Sequence, residues 1–401
     1  MLLSRKTYIS LLLALLVLNL GIFVGKLNLK VNEIIEREKC PACFGINLCQ
    51  DIDDNKVTLE YTDFYSIFNN LLGIKNIYYG KYGGDKVIIK KLAQKIELEG
   101  FDKMICSDYE LMELCFNKPK AVNTMKNFYN LIVAELISAD MNDPNVKIRL
   151  CPTISKLPEL FSNVLTENNL KNADYYKYLW SLIQINPEPI LLQILSSNDN
   201  WPTPKYFGAC GRIVIVEYIG LPLSAFIQET WIERAIIASS LLDAAYAFTF
   251  KNPKFAFYLT DISMDNIAVN NEQRAIFVDL ENTIIVDKYP SDEVLKEKTA
   301  WNVTYTNQVY TDCKDCFIFS PTDICNHKIS DHNYYAICQN ILVQGLHTNF
   351  DNQGLLHNIP STILQEYPQL TYLLNQCSKP DKFQSRIESG NQLKKVLDTI
   401  I

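Results

Sequence analysis

Three polar residues carry the chemistry most legible in this chain: Asp261, Asn266 five positions later, and Asp279 at the end of two short apolar runs. Phosphoryl transfer needs a carboxylate to orient or deprotonate the attacking hydroxyl. It also needs an oxygen donor and a second carboxylate to hold Mg²⁺ against nucleotide phosphates. Asp261, Asn266 and Asp279 offer those groups in the required order and spacing. An Asp and an Asn at this separation are common in turns, so the pattern gains its weight from the residues around it.

Upstream, Ile77, Tyr79, Lys81 and Tyr82 lead through Gly83-Gly84-Asp85 into Val87-Ile88-Ile89-Lys90, which predicts a β-hairpin with a lysine at the end of its second strand. A protein kinase points such a lysine at the α- and β-phosphates. Gly80, Gly83 and Gly84 are assigned to the phosphate loop, although they do not form GxGxxG and leave fewer backbone N–H groups to face an anion. Lys90 requires a helix carboxylate as partner. Glu97 is preferred, with Glu99, Glu110 and Glu113 open. Residues 212–218 form an apolar run that suits a strand buried on both faces. It leads to Gly220 as the hinge of a two-lobed kinase, and Glu217 on it is assigned to the cofactor site.

The elements that must position these groups follow from periodicity. Residues 57–72 show helical spacing with Gly73 as a stop, residues 93–116 read as helical, and residues 120–195 read as helices broken by prolines. Residues 224–250 are again helical, while 267–269 and 275–278 are short strands joined by a polar turn. The expected fold class is α+β. It is a bilobal protein-kinase-like fold with a small β-rich N-lobe bearing a helical insertion, a larger and mainly helical C-lobe, and disulfide staples. The expected domains are residues 1–26 as a signal peptide or signal anchor and 27–56 as a cysteine-containing cap or stalk. The N-lobe with its insertion covers 57–219 and the C-lobe with a cysteine-rich segment covers 220–401.

Composition narrows the setting. The 401 residues are 48% hydrophobic and 21% charged, which suits a large folded core. A net charge of -7 with no basic run argues against nucleic acid as a partner. Arg5 and Lys6 precede an uncharged apolar run over residues 8–24, the pattern that directs a chain into the endoplasmic reticulum. A cleaved signal and an uncleaved anchor both fit, and membrane contact is expected only through such an anchor. Twelve cysteines agree with an oxidising compartment. The pairs Cys40/Cys43 and Cys313/Cys316 also have zinc-ligand spacing, but they lie far apart in sequence. Asn302-Val303-Thr304 is a glycosylation sequon. The four histidines read as ordinary polar residues, and Asp265 reads as a turn residue.

Four segments carry a family resemblance. They are Trp201-Pro-x-x-Lys205-Tyr206-x-Gly208-Ala209-Cys210-Gly211-Arg212, Tyr258-Leu-x-Asp261-x-Ser263-x-Asp265-Asn266-x-Ala268-Val269, Val278-Asp279-x-Glu281-Asn282 and Asp331-His332-Asn333-Tyr334-Tyr335-Ala336-x-Cys338-Gln339-Asn340. Together they resemble the divergent protein kinase domain 2 family. The resemblance implies a kinase-like protein of the Golgi or the secreted fraction, with ATP and Mg²⁺ or Mn²⁺ as cofactors and an unidentified protein substrate or receptor. It implies Asp261 as the catalytic aspartate, Asn266 and Asp279 as metal ligands, Lys90 as the phosphate-binding lysine, and Asp331 as a structural residue bracing the catalytic loop. Leu259 and Thr260 stand where ordinary kinases carry His and Arg, and Leu280-Glu281 replaces Phe-Gly after the metal-binding Asp. Two functions fit: an ATP:hydroxyl phosphotransferase, or a pseudokinase acting as a signalling or binding protein.

Overall fold

The computed structural model describes residues 30–37, 43–60, 76–107, 124–138, 143, 146–171, 175–308, 317–343, 354–381 and 384–401. The expected leader, residues 8–24, lies outside them; among the described residues no helix is long and apolar enough to cross a membrane. The backbone divides into two units, residues 1–121 with 206–218, and residues 122–205 with 219–401. The stretch 122–205, which the sequence pattern attaches to the N-lobe, groups with the second unit.

The first unit holds an antiparallel five-stranded sheet in the order β1–β2–β3–β6–β5. These strands are β1 (Val57–Leu59), β2 (Ile77–Tyr82), β3 (Asp85–Lys91), β5 (Tyr206–Cys210) and β6 (Ile213–Glu217). Gly83 and Gly84 turn β2 into β3 at φ values of 61° and 98°, the positive-φ pair that matches strand twist in a two-residue hairpin. The expected helix over residues 57–72 begins instead as β1. Val57, Thr58 and Leu59 pair with Tyr82, Lys81 and Gly80, so sheet pairing overrides the helical spacing, and residues 61–75 lie outside the description. Alternation along β3 sends Val87 and Ile89 into a core with Ile213, Ile215, Leu48, Ile52 and Ile34. The cysteine-bearing segment is therefore part of this unit's core. Cys49–Cys210 staples it to β5, and Phe44 N–H donates to Gly211 O at 2.8 Å.

The second unit contains a three-stranded sheet ordered β4–β11–β8, formed by β4 (Ile148–Cys151), β8 (Phe255–Leu259) and β11 (Thr283–Asp287). All three strands are buried throughout. β4 departs from the expected run of helices over 120–195, because a four-residue segment buried throughout, Ile148-Arg149-Leu150-Cys151, is too short to show a period that separates a strand from a helix segment. β9 (Ile267–Val269) and β10 (Ala275–Phe277) form the expected hairpin, and β7 (Leu221–Pro222) pairs with β9. The helix Trp231–Tyr246 starts at a capping box of Thr230 and Glu233. Cys151–Cys325 and Cys338–Cys377 tie distant parts of this unit together. Arg386 and Asp331 form a buried ion pair, with Asp331 also accepting from the Asn307 backbone N–H at 2.9 Å and side-chain amide at 2.8 Å.

Cys43 and Cys106 are also disulfide-bonded. A sulfur in a disulfide is not the thiolate that zinc requires, so Cys43 is withdrawn from the zinc alternative. Cys40, Cys313 and Cys316 lie outside the described residues. The Cys151–Cys325 bridge spans 174 residues. Replacing both cysteines by serine should lower the unfolding free energy by about 2–5 kcal/mol, read from denaturant midpoints with intact protein as reference.

Candidate functional site

β8 ends at Leu259, and the loop that follows carries Asp261 and Asn266. Both backbone groups of Leu259 are held by the helix His332–Tyr335. Its N–H donates to Asn333 Oδ1 at 3.2 Å, and its carbonyl lies 2.9 Å from His332 Nε2. Since a carbonyl only accepts, Nε2 carries the proton; Nδ1 is buried with no partner among the described residues. The rings of Phe319, Phe317 and Tyr258 surround this imidazole at 5.0, 5.5 and 6.2 Å. Burial therefore pushes His332 down to about 4, and the Arg386 charge adds to the effect.

Thr260 then fastens the loop to the segment after Asp279: its N–H and Oγ1 both donate to Asn282 O, at 3.1 and 3.0 Å. Asn266 Nδ2 donates to Asp261 O at 3.1 Å, which closes the loop on itself. Val278 N–H donates to Asn266 O at 3.0 Å, which lays the loop against the strand end that carries Asp279. Asp261 is exposed, while Asn266 and Asp279 are half-buried. These three residues are thus brought together within the second unit. Asp265 accepts from Ser224 Oγ at 2.9 Å, a turn-bracing role.

The geometry adds residues that spacing alone does not assign. Glu281 N–H donates to Asp279 Oδ1 at 3.3 Å, and the Glu281 carboxylate accepts from Lys147 Nζ at 3.4 Å and Asn186 Nδ2 at 2.6 Å. Burial pushes the Glu281 carboxyl above the usual carboxylate range. The Asp279 charge adds to this, Lys147 opposes it, and Asp261 contributes a further push. Glu281 is visible in the sequence as a departure two residues past Asp279. Lys147 and Asn186 carry no local signal, because the tertiary fold alone delivers them.

In the first unit, Lys90 sits half-buried on β3, opposite Ile77 and Val214. Alternation puts it on the sheet face away from Val87 and Ile89. The expected Lys90–Glu97 pair is replaced by a local contact: exposed Glu97 accepts from Gln94 N–H at 2.6 Å, capping the helix Lys95–Ser107. Glu99 pairs with Lys95 at 3.7 Å, and Glu110 and Glu113 lie outside the described residues. Glu217 ends β6 on the surface, opposite Val87. A Cβ on Gly80 would come within 2.5 Å of Thr58 O, so close strand packing accounts for that glycine as the hairpin turn does for Gly83. Asn302 is exposed. Asp331 is structural, but its partners are Asn307 and Arg386; His332 and Asn333, its neighbours, do the bracing of the loop.

The chain matches a family model described as the protein-kinase domain of FAM69 over residues 179–380, a span that holds Asp261, Asn266, Asp279, Glu281 and Asp331. It is 31% identical over 389 residues to Divergent protein kinase domain 2A of Xenopus tropicalis, covering 91% of this chain and 89% of that protein. The human protein of the same name gives the same identity and coverage. Divergent protein kinase domain 2B of Mus musculus is 22% identical over 361 residues, covering 85% of this chain and 77% of that one. The chain belongs to the divergent protein kinase domain 2 family. In this member of that family, Leu259 and Thr260 replace the usual His-Arg pair, and the loop is anchored instead by His332, Asn333 and the Asn282 carbonyl.

The neutral His332 has a measurable consequence. Its ordinary value is 6.5 and the folded value is about 4, so between these limits the unfolded chain binds a proton that the folded chain refuses. Stability from this residue is full above pH 6.5, falls as acid is added, and levels off below about 4, a loss on the order of 3 kcal/mol. Urea midpoints across that range should show this slope, and His332→Gln, which keeps a donor for Leu259 O, should flatten it.

Proposed function

We propose that this chain is an atypical luminal or secreted phosphotransferase that uses ATP. Asp279 and Asn266 hold the nucleotide's divalent cation, and Asp261 orients the hydroxyl of a protein acceptor. The proton of that hydroxyl passes to the Asp261 carboxylate as the new O–P bond forms. The bond between the γ-phosphorus and its bridging oxygen breaks, leaving ADP. The observation that carries this reading is the bonding of the Asp261–Asn266 loop to the segment bearing Asp279, through Val278 N–H to Asn266 O and Thr260 to Asn282 O.

The donor chemistry fits Mg²⁺ or Mn²⁺. Among the described residues no three or more of His, Cys, Asp and Glu form a metal cage, but Mg²⁺ that arrives with a nucleotide needs only one or two carboxylates beside the phosphates. Asp279 and the Asn266 amide oxygen are hard donors of that kind. The Glu281 carboxyl, raised first by burial and then by the Asp279 charge, lies beside these donors. When bound, the cation neutralises charge on the phosphates. The sequence pattern, rather than a distance, assigns Lys90 to the α- and β-phosphates.

A secretory location is supported by the basic-then-apolar N-terminal sequence and by the disulfides Cys49–Cys210, Cys151–Cys325 and Cys338–Cys377. Exposed Asn302 is the proposed glycosylation site. A second reading, a pseudokinase that serves as a binding protein, is favoured by the glycines, since Gly80, Gly83 and Gly84 are accounted for by strand packing and a hairpin turn.

Thermal-shift titration separates the two. Millimolar ATP with Mg²⁺ or Mn²⁺ should raise the melting temperature, and Asp279→Ala should abolish the rise. Asp261→Asn should keep the rise while lowering phosphate transfer by at least ~100-fold. No shift in wild type at millimolar nucleotide would overturn the phosphotransferase reading.

A further inference from the structure

The turn that follows Asp279 is held from outside by residues that the phosphoryl-transfer proposal leaves without a role. Leu280 is buried, and Thr283 Oγ1 donates to Leu280 O at 3.0 Å. Glu281 lies between them, with its carboxylate at the meeting point of three side-chain donors. Asn186 Nδ2 donates to Oε2 at 2.6 Å, while Lys147 Nζ and Asn282 Nδ2 each donate to Oε1 at 3.4 Å. Strand register delivers Lys147, because Ile148 pairs with Thr283 in the β4–β11 ladder and Thr283 N–H donates to Lys147 O at 3.3 Å. Asn186 comes from the junction of two helices, Tyr175–Ile185 and Glu188–Ile194.

Asn186 serves only as a donor toward this carboxylate. It is buried, and its Oδ1 accepts from the Glu188 N–H at 2.9 Å, so turning the amide over would set an NH₂ group against a backbone donor. Its Nδ2 therefore faces position 281 and requires an acceptor there. Lys147 brings an ammonium, which has donors and no acceptor. A carboxylate answers both neighbours with one oxygen each, whereas a carboxamide would answer one and turn a donor on the other. The consequence reaches Asp279 through the backbone, since Glu281 N–H donates to Asp279 Oδ1 at 3.3 Å. That bond engages one oxygen of the half-buried Asp279; among the described residues no donor is bonded to Oδ2.

We propose that Glu281, fixed by Asn186 and Lys147, is a positioning residue that holds the Asp279 carboxylate ready for the nucleotide's divalent cation. The bond from Glu281 N–H restrains Asp279 through Oδ1 and leaves Oδ2 as the oxygen for the ion. Hydrogen bonds that orient a ligating carboxylate in this way set much of the affinity for the metal. Glu281 is not itself a ligand in this arrangement, because both of its oxygens are taken by Asn186, Lys147 and Asn282. The role rests on the reading of Asp279 as a cation ligand and adds to it the residues that make the ligand competent.

The test is a thermal-shift titration of the full chain with ATP, run once in excess Mn²⁺ and once in EDTA, which reads the cation-dependent part of the affinity apart from the rest. Glu281→Gln should weaken ATP binding in Mn²⁺ at least ~10-fold and leave the affinity in EDTA at the wild-type value. The ligand-free melting temperature checks folding. Combining Asn186→Asp with Glu281→Gln exchanges donor and acceptor: the new carboxylate accepts from the Glu188 N–H and from the new amide, whose oxygen accepts from Lys147. Wild-type affinity in Mn²⁺ should return. If Glu281→Gln alone does not fold, Lys147→Met carries the same comparison, with a loss in Mn²⁺ only. A wild-type response in Mn²⁺ that these single variants do not reduce overturns the positioning role. An equal loss in Mn²⁺ and EDTA overturns it too, as does a paired variant no better than Glu281→Gln. No response in wild type overturns the nucleotide reading and the positioning role together.

Discussion

The clamp on Leu259 is the interaction on which the placement of the Asp261–Asn266 loop in the second unit depends. A loop that carries a carboxylate at a strand end is free to drift unless the last strand residue is held, and here both of its backbone groups are bonded by side chains of one buried helix. That helix is in turn held at its first residues: Asp331 is locked by Arg386 and Asn307, and Asn333 also donates to Phe257 O and Thr249 Oγ1 at 2.9 and 3.0 Å. The buried polar groups are costly to bring out of water, and once partnered they hold one arrangement. The loss of the usual His-Arg pair is compatible with an ordered loop for this reason.

Charge is distributed along the β8–β11 pair in opposite senses. At the Leu259–Thr283 end stand Asp261, Asp279 and Glu281, with Lys147 as the nearby cation. At the Phe255–Asp287 end stand Lys156, Lys254, Lys288 and Lys328, with Asp287 and Glu159 as partial compensation. About four residues of strand, roughly 13 Å, separate the two groups. The overall net charge of -7 conceals this arrangement.

Each unit is also secured by its own covalent links. In the first, Cys49–Cys210 joins the N-terminal segment to the sheet, whose core that segment supplies through Ile34, Leu48 and Ile52. In the second, Cys151–Cys325 encloses a cluster of Tyr258, Ile284, Val286 and Trp301. Removing a bridge therefore acts on the unfolded chain's entropy and on a specific packed cluster together.

The kinase-like class, the β2–β3 hairpin, the doubly buried β6 and the β9–β10 hairpin were all readable from residue order, because each is a local pattern: turn glycines, β-branched runs, short alternations. The order Asp261, Asn266, Asp279 was readable for the same reason. What local pattern could not supply was anything whose energy comes from a distant partner. β1 has helical spacing but gains its bonds from β2, and β4 is too short to show a period. Glu97, the preferred carboxylate for Lys90 on sequence grounds, accepts instead from the Gln94 N–H at the start of its own helix. Lys147 and Asn186 reach Glu281 across 134 and 95 residues, and the bracing of the loop passes from Asp331 to its neighbours His332 and Asn333. In each case the deciding quantity is burial against a particular neighbour, which exists only once the chain has folded.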